Sequence, residues 1–305
     1  MSGKRVVSLI ASATEIVDAL GQLEYLVGRS HECDYPESVK SLPVCTRPRI
    51  AVDTDSREID RQVKESARTS VSIYEVFDDV LARLAPTHIL TQIQCQVCAV
   101  SLRDVERSVA ARLASRPRVV SLQPFSLSEV WEDIRRVARS LEIDARGEQV
   151  VARLQERMRA IADTTRAAAS RPRLASIEWI EPLMPTANWM PELVEMAGAE
   201  NVTWHTWEDL AAADPDIILA MPCGFDLERA LSEMYWLTGR DGWHRLRAIR
   251  NGRVYVADGN QFFNRPGPRL VESLEILAGI AHPEVFPPRH ARSAATAFPL
   301  PSLVT

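Results

Sequence analysis

The sequence predicts an α/β fold built twice: two regions of short apolar strands alternating with helices, which implies mostly parallel, doubly wound sheets. Three observations carry this. Apolar, largely β-branched runs recur at 6–10, 25–28, 88–91 and 118–122, with helical spacing between them. From Ser126 to about Ala169 the pattern changes to long, amphipathic, strand-free sequence. Beyond 171-ArgProArg-173 the alternation resumes, with runs at 174–179, 217–220 and 254–257. The organisation read from this is an N-terminal α/β lobe over 1–125, a helical linker over 126–170, a C-terminal α/β lobe over 171–285 and a loose tail over 286–305.

The elements follow in order. Val6, Val7, Leu9 and Ile10 form the first strand. Ser12 and Glu15 have the spacing of a capping box, Ile16, Val17 and Leu20 give a helical apolar stripe, and Gly21 supplies the stop. Residues 78–84 read as a helix ended by Pro86, and residues 101–114 as another. The helical stretch divides into two helices, the second more than about 20 residues long by its 3.6-residue period. Residues 191–197 form a helix stopped by Gly198, and 268–280 form the last. An internal echo supports two similar lobes: 83–95 and 212–223 both run helix end, Pro, apolar strand, then Cys.

With 305 residues, 46% of them hydrophobic, the chain has material for a large core. A net charge of −5, with Arg residues interleaved among Glu and Asp, argues against a nucleic-acid partner. No apolar run approaches the roughly 20 residues of a transmembrane helix. Near the N-terminus, Lys4 and Arg5 precede an apolar run of about five residues, shorter than a signal peptide requires. That run reads as a strand, so the chain as given is expected to be cytoplasmic, or periplasmic if the true start lies upstream.

The five cysteines are an odd number in a long chain and do not read as a disulfide framework. Four of them, Cys33, Cys95, Cys98 and Cys223, fall just after expected strands, where open α/β sheets bind ligands. With His31 alongside they are candidate ligands for a thiophilic metal, zinc or an iron–sulfur cluster. Each is equally explained as a small buried hydrophobe, which is the reading for Cys45. Cys95-Gln-Val-Cys98 also has the spacing of a thiol redox pair. Six of the seven Trp lie beyond residue 178. Trp189 and Trp204, together with Tyr35, Phe225 and Phe263, are candidate apolar walls for a large planar ligand. Asn264 and Arg265 either point polar groups at a ligand or tie down their turn. Ser12 and Thr14 sit at a helix N-terminus suited to a partial negative charge. His88 reads as structural. No G-x-S-x-G, H-E-x-x-H, Walker A or dinucleotide fingerprint is present, and no catalytic residue is assigned.

These pieces resemble a known family. The segments at 6–21, 26–36 (with SerHisGluCysAspTyrPro), 95–100, 221–226 and 251–269 are similar to the class III, helical-backbone substrate-binding proteins of ABC importers, which carry cobalamin, haem and ferric siderophores. The closest likeness is to the cobalamin-binding subgroup, similar to the periplasmic vitamin B12 receptor, over about residues 5–283. The resemblance implies two Rossmann-like lobes joined by a long rigid α-helix, with a ligand cleft between the lobes. It implies a non-enzymatic binder of a corrinoid or related metal chelate, with an ABC permease as partner. The alternatives from the residues themselves are a cytosolic metalloprotein or enzyme reusing the scaffold, and a C-x-x-C redox protein.

Overall fold

The computed structural model describes residues 3–69, 72–92, 115–286 and 294–299. Cys95, Cys98 and the helix expected at 101–114 lie outside the described residues. The chain divides into two units: Met1–Thr54, Glu58–Leu154 and Pro266–Pro268 form the first, and Asp55–Arg57, Gln155–Arg265 and Arg269–Thr305 the second.

Along the first part of the chain run β1 (Val6–Ser8), α1 (Ala11–Ala19), β2 (Leu26–Arg29), β3 (Thr46–Pro48), α2 (Ser56–Arg68), β4 (Tyr74–Val76) and α3 (Asp78–Leu84). β5 (His88–Gln92), β6 (Arg118–Leu122), α4 (Leu127–Ser140) and α5 (Asp144–Arg166) follow. Four strands make a parallel sheet in the order β2-β1-β5-β6, with Val6, Val7 and Ser8 opposite His88, Ile89 and Leu90. Strands covered on both faces need continuous apolar runs, which is why β1 and β5 lack strict alternation. Val7, Leu9 and Ile89 pack with Leu81 of α3, Cys45, Ile73 and Tyr74 in one cluster, and α1 touches α4. Cys45 is therefore a core side chain, as read. β3 and β4 form a separate antiparallel pair, Thr46 opposite Val76.

The helix start at Ser12 is corrected. α1 begins at Ala11 behind an extended Ile10 and has no side-chain cap, so Ser12 is already inside the first turn. A capping side chain must come from a residue with non-helical backbone, which Ser12 lacks. The same S-x-x-E spacing does start a helix at Ser126, whose Oγ accepts from the Glu129 N–H at 3.3 Å while the Glu129 carboxylate accepts from Phe125 N–H. α5 has 23 residues, as its period predicts, and buries Val150, Val151, Leu154, Met158 and Ile161 at helical spacing.

The remaining elements are β7 (Arg173–Trp179), β8 (Met184–Pro185), α6 (Met190–Met196), β9 (Glu200–Asn201), α7 (Trp207–Ala213) and β10 (Ile217–Ala220). After them come α8 (Leu227–Ser232), α9 (Tyr235–Thr238), α10 (Arg247–Arg250), β11 (Val254–Ala257), α11 (Leu270–Ala281) and β12 (Ala295–Ala297). The second sheet runs β12-β11-β10-β7-β8, with β9 on β7; β7, β10 and β11 are parallel. The tail expected to be loose contributes β12, antiparallel to β11, because Ala294 and Ala295 bury against it. The internal echo is a backbone repeat. α3 and α7 both end on a left-handed residue, Ala85 and Asp214, each at φ 42°, followed by Pro and then β5 or β10. Proline disfavours the right-handed helical conformation in the residue before it, so both helices stop at the same place.

Candidate functional site

In the first unit, the carboxyl ends of β1 and β2 gather residues from distant segments. The loop after β2 carries Ser30, His31, Glu32 and Cys33 over the start of α1. Thr14 Oγ1 donates to Cys33 Sγ at 3.0 Å, and the thiol lies 4.0 Å from the Ser8 carbonyl oxygen. Cys33 is 1% exposed, and burial pushes its thiol above the ordinary range, so it is held as a neutral thiol. Ser12 is buried beside them, and its Oγ finds no partner among the described residues.

His31 is held differently. Its backbone N–H donates to Thr46 Oγ1 at 3.1 Å, and its ring Nδ1 lies 2.8 Å from the same oxygen. The ring stands 5.2 Å from that of Tyr74, whose hydroxyl donates to Glu32 Oε1 at 3.1 Å. Burial, and secondarily the positive charge of Arg29, push the imidazole down to about 4, so it is neutral at physiological pH. Thr46 and Tyr74 belong to the antiparallel pair β3–β4. The sequence reading missed that pair, since three-residue strands show no usable period. Tyr35 is half-buried and precedes Pro36 through a cis peptide bond. Beyond β6, Phe125 is 51% exposed, an aromatic side chain the reading did not single out.

In the second unit, the strand ends carry Glu178, Cys223 and the turn after β11. Cys223 N–H donates to the Glu178 carbonyl at 3.0 Å, and burial raises the Glu178 carboxyl above its usual range. Cys223 is half-buried. Asn264 Nδ2 donates to the carbonyls of Met221 at 3.0 Å and Gly259 at 2.9 Å, so it ties the loops after β10 and β11 together. A Cβ on Gly259 would collide with the carbonyls of Met221 and Pro222, so glycine is what lets these loops approach. Arg265 is buried and donates to Asn260 Oδ1 at 3.0 Å. Of the two readings open for this turn, these contacts serve the one that ties it down.

The expected apolar walls are mostly interior. Trp204 is 1% and Trp189 5% exposed, and Phe225 and Phe263 are equally buried. Trp189 Nε1 donates to the Phe263 carbonyl at 2.7 Å, and the Arg229 guanidinium lies 3.8 Å over the Phe225 ring. Their positions in Pro- and Gly-flanked loops suggested exposure, but each loop folds back on its own unit. His88 is structural: Nε2 lies 2.9 Å from the Ser140 carbonyl. Among the described residues, no three His, Cys, Asp or Glu side chains are placed to hold a metal ion. No described helix is long and apolar enough to cross a membrane.

Two α/β units, each with parallel strands whose carboxyl ends collect polar side chains on loops, define an α/β ligand-binding protein. Residues 6–260 match the family described as Periplasmic binding protein, and the chain belongs to that family. It is similar to YvrC of Bacillus subtilis (strain 168), an uncharacterized ABC transporter substrate-binding lipoprotein. The two are 23% identical over 296 residues, covering 93% of this chain and 81% of the relative. Among solved structures it is similar to the periplasmic heme-binding protein RhuT from Roseiflexus sp. RS-1. That comparison gives a TM-score of 0.68 and 23% identity, over 92% of this chain and 98% of that one. It is also similar to the periplasmic vitamin B12 binding protein BtuF of Vibrio cholerae, with a TM-score of 0.60 and 18% identity, over 91% of this chain and 96% of that one. These structural likenesses show the fold.

Proposed function

We propose that this chain is the ligand-binding component of an ABC-type importer of the helical-backbone class, and that it binds a corrinoid or a related metal-bearing macrocycle. Family membership supports the binding role, and the likenesses to a vitamin B12 binder and a heme binder support the class of ligand. The observation that carries the reading is that the loop after β2 brings Cys33 onto Thr14 of α1 and His31 onto Thr46 of β3, joining three separate stretches of sequence at the carboxyl ends of β1 and β2. This is where parallel α/β sheets take their ligands. A permease is the partner such a component would serve. The lipoprotein nature of the Bacillus relative supports periplasmic placement over a cytoplasmic one.

The metalloprotein alternative needs thiolates. Cys33 is a buried neutral thiol bonded by Thr14, which favours packing over ligation.

Visible-absorption titration of the purified protein with aquocobalamin, and separately with ferric haemin, tests the reading. Saturable one-to-one binding of the corrinoid is expected. Binding of haemin alone would reassign the ligand within the class. Iron with acid-labile sulfide in the untreated protein, and no binding of either macrocycle, would replace this reading with the metalloprotein one.

A further inference from the structure

We infer that His31 is the residue that bonds the metal of the bound macrocycle, through Nε2, as an axial ligand; this rests on the proposed macrocycle ligand. Three observations about the imidazole lead there. First, it is anchored at one nitrogen only. Nδ1 sits 2.8 Å from Thr46 Oγ1, while Nε2 makes no hydrogen bond among the described residues, its nearest carboxylate oxygen, Glu32 Oε1, lying 3.9 Å away. Second, the ring is oriented from outside the contact it would make. Thr46 is buried on β3 and Tyr74 on β4, and the ring leans on Tyr74. A hydrogen bond at one ring nitrogen and a packed face are what set a metal-binding histidine's tautomer and direction. Third, its side chain is 25% exposed, whereas the neighbouring Cys33 is shut away behind Thr14. The competing thiol would have to leave its hydrogen bond and its cavity to reach any ligand.

The chemistry balances without an oxidant or reductant. With Nδ1–H donating a hydrogen bond to Thr46 Oγ1, whose second lone pair accepts the His31 backbone N–H, the Nε2 lone pair is available to a metal. It displaces a water from the metal's axial position: a metal–nitrogen bond forms, a metal–oxygen bond breaks, and water leaves. The site would therefore favour planar chelates with an exchangeable axial ligand over those whose axial positions are tightly filled. A corrinoid and a haem share that chemistry.

The test compares aquocobalamin, cyanocobalamin and ferric haemin on four proteins: the natural chain, His31→Gln, Thr46→Val, and a His205→Ala/His244→Ala double variant that removes two exposed histidines. Melting temperatures confirm that each is folded. In the natural chain, binding of aquocobalamin or of haemin is expected to shift the visible bands as imidazole replaces water, whereas cyanocobalamin binds without a shift. His31→Gln should still bind but lose the shift, and free imidazole should restore it. Thr46→Val should keep the shift and weaken binding by about tenfold, the usual cost of losing a partner to a metal ligand. The double variant should behave as the natural chain. Binding without a shift in the natural chain, or a shift that survives in His31→Gln, overturns the assignment and leaves the proposed ligand class standing. Failure of all three macrocycles to bind overturns both.

Discussion

His31 and Cys33 are two residues apart and have opposite fates. Cys33 turns inward, where desolvation favours the neutral thiol; His31 keeps one edge at the surface while burial favours the neutral imidazole. The histidine gives a pH prediction whose sign follows from linkage. Its folded-state value, about 4, lies below the ordinary imidazole value of about 6.5. As pH falls through 6.5 the unfolded chain takes the proton first, so the native state loses stability between about 6.5 and 4 and is unaffected above. The full difference corresponds to at most about 3 kcal/mol, reduced by solvent screening of the exposed edge. Urea denaturation at pH 7 and pH 5 checks it: His31→Gln should lose less stability over that interval than the natural chain. Asp133, pushed up to about 6 by burial, acts with the opposite sign but contributes equally to both proteins and cancels in the comparison.

At the scale of elements, the loops at strand ends depend on close backbone approach as much as on side chains. Gly259 and Gly224 lie in adjoining loops and should respond differently to alanine. A Cβ at Gly259 meets the Met221 carbonyl, which Asn264 also holds, and the Pro222 carbonyl, which accepts from Phe225 N–H, so neither can yield freely. Gly224 has nothing within 4 Å but sits at φ +77°. Gly259→Ala should cost about 3 kcal/mol or more, an overpacking effect against rigid groups. Gly224→Ala should cost about 1–2 kcal/mol, the left-handed backbone penalty alone. Chemical denaturation of both variants measures the difference. If the two lose equal stability, the crowding at Gly259 is not what holds these loops.

At the scale of the whole molecule, each unit has its own sheet and its own flanking helices, and one of the points where the chain passes from the first unit to the second falls within α5, between Leu154 and Gln155. A ligand that binds only the native state stabilises it by mass action, by about 2.7 kcal/mol at a hundred times its dissociation constant. For a chain of this size that raises the melting temperature by several degrees. Aquocobalamin should do so in a concentration-dependent way, and a simple cobalt salt should not. Differential scanning calorimetry reads it, and equal effects of the two would mean that the macrocycle is not what the protein recognises.

Much of the fold was legible because its signals are local. The helix at 78–84 and the strands at 118–122, 217–220 and 254–257 have the expected bounds, since β-branched runs and Pro or Gly stops act on neighbouring residues. α2 was missed because Ile59 and Val63 are its only large apolar residues, too few to show a period, and β3, β4, β8 and β9 because two or three residues cannot alternate. In the candidate site, Thr14, His31 and Cys33 were legible as residues following strands in an α/β alternation.

The sequence by itself determined the α/β class, the long α5, the repeated helix–Pro–strand turn and the strand ends on which the candidate residues sit. Only the tertiary structure decided that Ser12 lies within its helix, that Trp189 and Trp204 are interior, and that Thr46 and Tyr74 frame His31. The physical reason is range. Periodicity and backbone stops operate over a few residues, whereas burial and hydrogen-bond partners are set by segments 15 to 43 positions away in the chain, the separation of His31 from Thr46 and from Tyr74 respectively.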